Sequence, residues 1–345
     1  YKRQGLGWQA TLLDDVGSEQ LAHLLGVADP QGAETEHPDC LLAVYPQGRA
    51  CHVRTLPQQA LASFAGLAWQ GEPNQLSHGH APWPIIDDVA DATTRSAVEG
   101  MHRDSLSAEE DSGDGLSEAS LLPLRKIIRQ RRSAATMDPR GDISRDAFYR
   151  MLSRTRARQQ QLPFSALPWS PMVHIVLFVH RVRDLVPGLY LLVRDVLQRE
   201  PLQAALAPSF LWVKPESCPP ELDLYCLKPG DMRAMSRRLS CGQAIASDGC
   251  FSLGMLAEFE QPLHSLGPWF YRRLYWESGV IGQVLYLEAE ATGVRGTGIG
   301  CYFDDAVHDL LGLESKQFQS LYHFTVGQPV EDARMATLPA YPGER

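Results

Sequence analysis

The sequence predicts an α+β protein, and three observations carry that expectation. Of its 345 residues 44% are hydrophobic and 21% charged, enough apolar matter to bury one or two cores and too much for a disordered or fibrous chain. Segments with a helical period are interspersed with β-branched runs closed by Pro, Gly or Asp, the mark of helices and strands sharing one fold. Finally, one succession of residues occurs twice, near the start and near the end of the chain, which predicts a partial internal repeat.

The repeat opens the chain. Gly7-Trp-Gln-Ala-Thr-Leu-Leu-Asp-Asp15 leads to Leu21-Ala-His-Leu-Leu-Gly26-Val27 and then to the apolar run Leu41 to Val44 before Pro46. Phe303-Asp-Asp305, Leu310-Leu-Gly312-Leu313 and Phe324 to Pro329 follow the same order, so residues 1–90 are expected to be the C-terminal half of a domain like the one that follows. From Asp87 to Glu118 ten acidic residues face only Arg95 and Arg103 in a stretch rich in Ser and Gly. Such a composition buries too little apolar area to offset ordering entropy, so residues 91–120 read as a linker.

The larger region spans residues 121–335, with 336–345 as a tail. Leu124, Ile127 and Ile128 give Leu121 to Arg132 a helical period that stops around Ser133. Ser144 can accept from the free N–H groups of a second helix, whose apolar stripe is Phe148, Met151 and Leu152. Val173 to Val182 and Gly188 to Val193 read as neighbouring strands, Asp231 to Ser247 as helix and Phe251 to Phe259 as strand. Tyr271 to Thr292 is the strongest element. Val280, Val284, Leu287 and Ala291 make one stripe there and Ile281, Leu285 and Ala289 another, an apolar surface wide enough to imply burial on more than one side. A glycine-rich loop from Gly293 to Gly300, a short helix through Leu311 and the strand Tyr322 to Val326 close the region.

Charge narrows the function. A formal net charge of −9 argues against general nucleic-acid binding, which rewards an excess of Lys and Arg. Against that acidic background, Arg125 to Arg158 holds eleven basic residues and only Asp138, Asp142 and Asp146. A solvated helix face and an anion-holding site are both compatible with such a segment. No apolar run reaches the roughly 18 residues of a membrane span, and Tyr1 opens no charged and apolar leader, so a cytoplasmic location is expected. Seven cysteines without a CxxC pair fit neither a disulfide framework nor a zinc site and are expected to be reduced, mostly buried thiols.

Gly296-Thr-Gly298-Ile-Gly300 invites a dinucleotide-binding reading, but its glycine spacing is one residue short and it follows a helix rather than a strand. A tight loop whose backbone approaches a flat ligand, or a helix C-terminal turn, accounts for it better. GxxxxGK[ST], HExxH and GxSxG are all absent from the sequence, removing the common signatures of nucleotide hydrolysis, zinc proteolysis and α/β-hydrolase chemistry. His78-Gly-His80 lacks a third ligand. His174 and His180 read as satisfied sheet histidines, and Cys301 as a small buried thiol.

A combination of features is more specific than any one of them. Ile127-Ile-Arg-Gln-Arg-Arg-Ser133 ends a first helix; a long apolar helix, the glycine-rich stretch, Phe303-Asp-Asp305 and Thr325-Val-Gly-Gln-Pro329 follow, with Arg334 downstream. In this order and spacing the chain resembles the FMN-dependent nitroreductase family, and within it the branch of azoline dehydrogenases of modified-peptide biosynthesis and their duplicated relatives. The resemblance implies a central, mostly antiparallel sheet flanked by helices, noncovalent FMN, and NAD(P)H as electron donor. A hydride would pass to the flavin, and an acceptor of nitro, quinone or peptide-azoline type would then take the electrons in the same cleft by a ping-pong mechanism.

It further implies roles for particular residues. Arg131, Arg132 and Ser133 match the segment that grips the FMN phosphate and ribityl chain, Arg334 a second basic contact to the phosphate, and Gly298, Ile299 and Gly300 the stretch that passes the isoalloxazine ring. Pro163-Phe-Ser165 followed by Pro168-Trp169 resembles the segment that reaches the flavin from a partner subunit, so a homodimer paired through the Tyr271 to Thr292 helix is implied, with Ser165 near the cofactor. Two positions depart from the family pattern. Ala135 stands where a basic residue is usual, and Ser165-Ala166-Leu167 where an Asn is expected before Pro-Trp. They leave a second reading open, a catalytically weak flavin-binding or structural subunit of a partner enzyme.

Overall fold

The computed structural model of the chain describes residues 7–29, 34–46, 49, 56–71, 77, 79, 81–96, 124–157, 162–334, 336 and 338. His78 and His80, the expected linker from residue 97 and most of the expected tail lie outside the described residues. The chain divides into two compact units. One comprises Tyr1–Ala108, Arg158–Ser170 and Pro262–Arg273, the other Glu109–Ala157, Pro171–Gln261 and Leu274–Arg345.

In the first unit, β1 (Trp8–Leu12) and β2 (Leu42–Pro46) pair antiparallel over five rungs, from Trp8 opposite Pro46 to Leu12 opposite Leu42. Between them α1 (Ser18–Leu25) closes on Gly26, whose left-handed φ of 73° a side chain would resist. Val16, Leu21 and Leu61 form a small core with Leu24, Leu41 and Leu56, Leu61 coming from α2 (Gln58–Phe64). The acidic stretch is helical at its start, where α3 spans Pro84–Ala92. Beyond it Arg95 is buried, its guanidinium 2.9 Å from the Asp14 carboxylate and 4.0 Å from the Trp269 ring. Arg273 reaches the same carboxylate at 2.9 Å, so the structured part of this unit extends past the expected linker boundary.

The second unit begins with α4 (Leu124–Gln130) and α5 (Arg145–Arg154), the latter capped as expected by Ser144, which accepts from the Ala147 N–H. A six-stranded sheet follows, with β3 (Val173–Val179), β4 (Gly188–Leu192), β5 (Leu224–Pro229), β6 (Phe251–Glu258), β7 (Arg295–Ile299) and β8 (Phe318–Gly327) in the order β5-β4-β3-β6-β8-β7. Every pairing is antiparallel, as expected. The unit's further helices are α6 (Arg199–Ala205), α7 (Arg233–Leu239), α8 (Ile245–Asp248), α10 (Tyr271–Ala291) from Leu274 onward and α11 (Asp304–Leu311), while α9 (Glu260–Leu266) falls to the first unit from Pro262.

Because side chains alternate across a strand, the sheet has two apolar faces. Val176, Leu189, Leu191 and Leu256 pack with Leu202 of α6, Leu239 of α7 and Leu311 of α11. On the other face Phe148 of α5 meets Phe251 edge-on at 5.1 Å, and Tyr286 of α10 meets Phe324 at 4.8 Å. Arg194 and Glu277 form a buried ion pair, and the Glu277 carboxylate also accepts from the Met172 and Val173 amides, so the charge is fully surrounded by donors.

Three expectations change. The glycine run is not a loop: residues 295–299 form β7, the edge strand, because backbone pairing with β8 outweighs the low strand propensity of glycine. Asp231 to Ser247 is two helices, broken where Cys241 and Gly242 take left-handed φ values of 55° and 74°. Cys241 and Cys301 form a disulfide rather than two thiols. Of α10 only Gly279 is exposed, in keeping with the burial on more than one side that its wide apolar surface implied.

Candidate cofactor site

Of the expected ligand-binding residues of the second unit, all but Arg334 lie on or next to β7 or on the segment strapped along its free edge. In an antiparallel strand successive residues turn their N–H and C=O alternately toward and away from the partner. Thus Gly296 and Gly298 face off the sheet: the Gly296 carbonyl accepts from the Ala134 N–H at 3.3 Å, and the Gly298 N–H donates to the Tyr286 hydroxyl at 2.9 Å. The Thr297 hydroxyl donates to the Ala134 carbonyl at 2.7 Å. These contacts strap the segment after α4 alongside β7 and set Ser133 beside the glycines. Gly300 directly follows the last residue of β7 and is exposed.

The glycines differ in what they leave room for. A β-carbon on Gly296 would come within 2.6 Å of the Phe324 ring, and one on Gly298 within 2.5 Å of the Tyr322 hydroxyl. On Gly300 the nearest atom would be Tyr322 Cε2 at 3.9 Å. Packing within the chain therefore demands glycine at the first two positions, while the space over Gly300 is open to a ligand.

The basic segment is close-set. Arg131 lies over the Tyr286 ring at 4.7 Å, a cation on an aromatic face. Arg132 donates to the carbonyls of Arg129 and Arg131 at 3.2 and 2.8 Å, at the C-terminal end of α4 where helix carbonyls lack partners. Neither guanidinium forms an ion pair with a carboxylate among the described residues. The Ser133 hydroxyl lies 2.9 Å from that of Tyr286. Burial, and then the nearby Tyr286, pushes the Tyr322 hydroxyl up, so it remains a neutral wall beneath Gly298.

Ile299 is buried and paired with His323, so it fixes the strand and only its backbone borders the site. Arg334 is not brought to this group: it is exposed and makes a forked ion pair with Asp332. Ser165 sits on a 3-10 turn, Phe164–Ala166, of the first unit.

Compared with solved structures, the chain superposes on a proposed nitroreductase from Anabaena variabilis with a TM-score of 0.60 at 18% identity, over 94% of this chain and 61% of that one. The chain has the nitroreductase fold. It spans only 61% of the length of that neighbour. Weaker likenesses are to a proposed nitroreductase from Ralstonia eutropha, with a TM-score of 0.41 at 15% identity over 61% of this chain and 85% of that one, and to an E. coli microcin synthetase McbBCD complex, 0.43 at 14% over 80% and 83%. No family model matches the sequence. No curated protein matches it either.

Within this nitroreductase fold the residue that sequence reasoning missed is Tyr286. It lies on α10 between the aliphatic positions Leu285 and Leu287, and the helical period gives it no distinction. A polar aromatic on an otherwise apolar helix next to a glycine strand was the signal available, since a hydroxyl placed there needs a partner.

Proposed function

We propose that the chain binds FMN along the edge of β7 and is a flavin-dependent oxidoreductase, passing electrons from NAD(P)H to an acceptor of nitro, quinone or peptide-azoline type. The observation that carries this reading is the charge at the end of α4. Two successive arginines, without a carboxylate in ion-pair reach among the described residues, directly precede Ser133, and Arg131 and Ser133 both contact Tyr286 beside β7, the strand that leads to the open backbone of Gly300. Such a donor set fits a phosphate monoester, because guanidinium forks match phosphate oxygens and a hydroxyl adds a neutral donor. The Gly300 backbone fits a flat ring.

When bound, the flavin supplies the hydride and electron transfer. The chain's part is to bind and orient. Arg131 and Arg132 hold the phosphate, Ser133 donates to it, and Gly300 lets the backbone approach the ring. The reading assigns no role to the Gly298 amide, which Tyr286 holds, or to Arg334, which Asp332 holds. A second reading, a flavin-binding subunit with little turnover, is favoured by Ala135, which is exposed beside Ser133 and brings no charge to the ring.

The same account takes β1–α1–β2 as a partial copy of β7–α11–β8. Its support is that Gly26 and Gly312 close their helices at nearly identical angles, φ 73° and 72°, ψ 26° and 27°, and that each pair of strands meets antiparallel over five rungs.

The deciding experiment is to add FMN to the purified protein, remove the excess, and follow the visible flavin band anaerobically with NADH or NADPH. Retained flavin that bleaches supports the oxidoreductase. Retained flavin that neither donor bleaches supports the second reading, and failure to retain flavin overturns both.

A further inference from the structure

One hydrogen bond at Tyr286 has a fixed direction, and it favours a direction for the other. A backbone N–H can only donate, so the Gly298 amide gives its hydrogen to the Tyr286 oxygen at 2.9 Å. The tyrosine's own hydrogen is then available to the other oxygen in reach, Ser133 Oγ, also at 2.9 Å. With Ser133 Oγ accepting, the serine hydrogen turns outward, and Ser133 is exposed. The first link cannot reverse, because Gly298 is held in register opposite Phe324, its N–H faces off the sheet, and an N–H only donates. Arg131 lies against the same ring, so a single side chain fixes both a hydroxyl and a cation.

We infer that Gly298, Tyr286 and Ser133 form a directed hydrogen-bond chain that presents the Ser133 hydroxyl as a donor to a ligand oxyanion, making Tyr286 the positioning residue that selects a phosphorylated over an unphosphorylated flavin. Each link polarises the next, which strengthens the terminal donor. The inference rests on the flavin reading above and adds the residue that sets its preference for the phosphate.

The test compares FMN with riboflavin, which lacks the phosphate, by quenching of flavin fluorescence in wild type, Tyr286→Phe, Ser133→Ala and the double variant. Phenylalanine keeps the ring under Arg131 and removes only the hydroxyl. Expected are a wild-type preference for FMN, a loss of FMN affinity of about threefold to tenfold in Tyr286→Phe with riboflavin unchanged, and no further loss when that change is made in Ser133→Ala. A Tyr286→Phe effect equal for both flavins, or one that persists in the Ser133→Ala background, overturns the chain while leaving flavin binding intact. Equal affinity of the wild type for FMN and riboflavin, or affinity for neither, overturns the phosphate-site reading and the inference with it. Ser133→Ala, a surface change, gives the phosphate preference independently if Tyr286→Phe fails to fold.

Discussion

Leu25 and Leu311 each directly precede the left-handed glycine that ends a helix, yet Leu25 is 52% exposed and Leu311 0%. Leu311 packs into the sheet core with Val176, Leu189 and Leu191, whereas Leu25 lies outside the small core of its own unit. Leu311→Ala is therefore expected to cost about 2 to 5 kcal/mol and Leu25→Ala at most about 0.5 kcal/mol. Urea unfolding midpoints of the two variants check the contrast; equal costs would contradict the burial.

The glycines of β7 should separate fold from ligand. Gly296→Ala drives a methyl into the Phe324 ring and is expected to destabilise the protein by about 1 to 3 kcal/mol through overpacking. Gly300→Val meets no such obstacle within the chain, so it should melt close to wild type and lose flavin. Thermal unfolding and flavin retention, measured together on both variants, distinguish the two outcomes.

Much of this was legible in the sequence. The β-branched run that became β3, the Ser144 cap of α5 and the span of α10 were readable because period and capping chemistry are local. Residues 295–299 were not read as strand, since glycine carries no strand signal and only the register with β8 makes them one. Cys241 and Cys301 lie 60 residues apart, and no spacing rule brings them together. Arg131, Arg132, Ser133 and the glycines were named through the family resemblance, which their order and spacing along the chain carried. Tyr286 was hidden because helical periodicity marks a face and says nothing of what a hydroxyl on that face will meet.

Three buried histidines set an acid limit. Burial brings His174, His180 and His323 each down to about 4, from about 6.5 in the unfolded chain. Between these values the unfolded chain binds protons that the folded one does not, so stability should fall as pH drops from about 6.5 to about 4. Glu258 acts oppositely. Burial, then Asp195 and Glu277, pushes its carboxyl up to about 8. The folded state keeps that proton while the unfolded state loses it from about 4.5 upward, so this contribution falls as pH rises to about 8. Glu258→Gln should flatten the loss on the alkaline side, as read from urea midpoints across pH.

The pairing of Cys241 with Cys301 is chemically visible. Iodoacetamide without reductant should label the exposed Cys40 ahead of the buried Cys218 and Cys250, and should reach Cys241 and Cys301 only after reduction, as mapped by peptide mass spectrometry. Closing a span of 60 residues stabilises by up to about 4 kcal/mol in the loop-entropy account, so Cys241→Ser should lower the unfolding midpoint in oxidising buffer and leave it unchanged in reducing buffer.

The central claim is that the end of α4 holds a flavin phosphate, and an equilibrium titration of FMN into wild type, Arg131→Ala and Arg132→Ala tests it most directly. Each lost charge-assisted contact is worth about 1.5 to 3 kcal/mol, so the account expects saturable binding by the wild type and affinity about ten- to a hundredfold weaker in each variant. Unchanged affinity in both variants, or no saturable binding by the wild type, would contradict it.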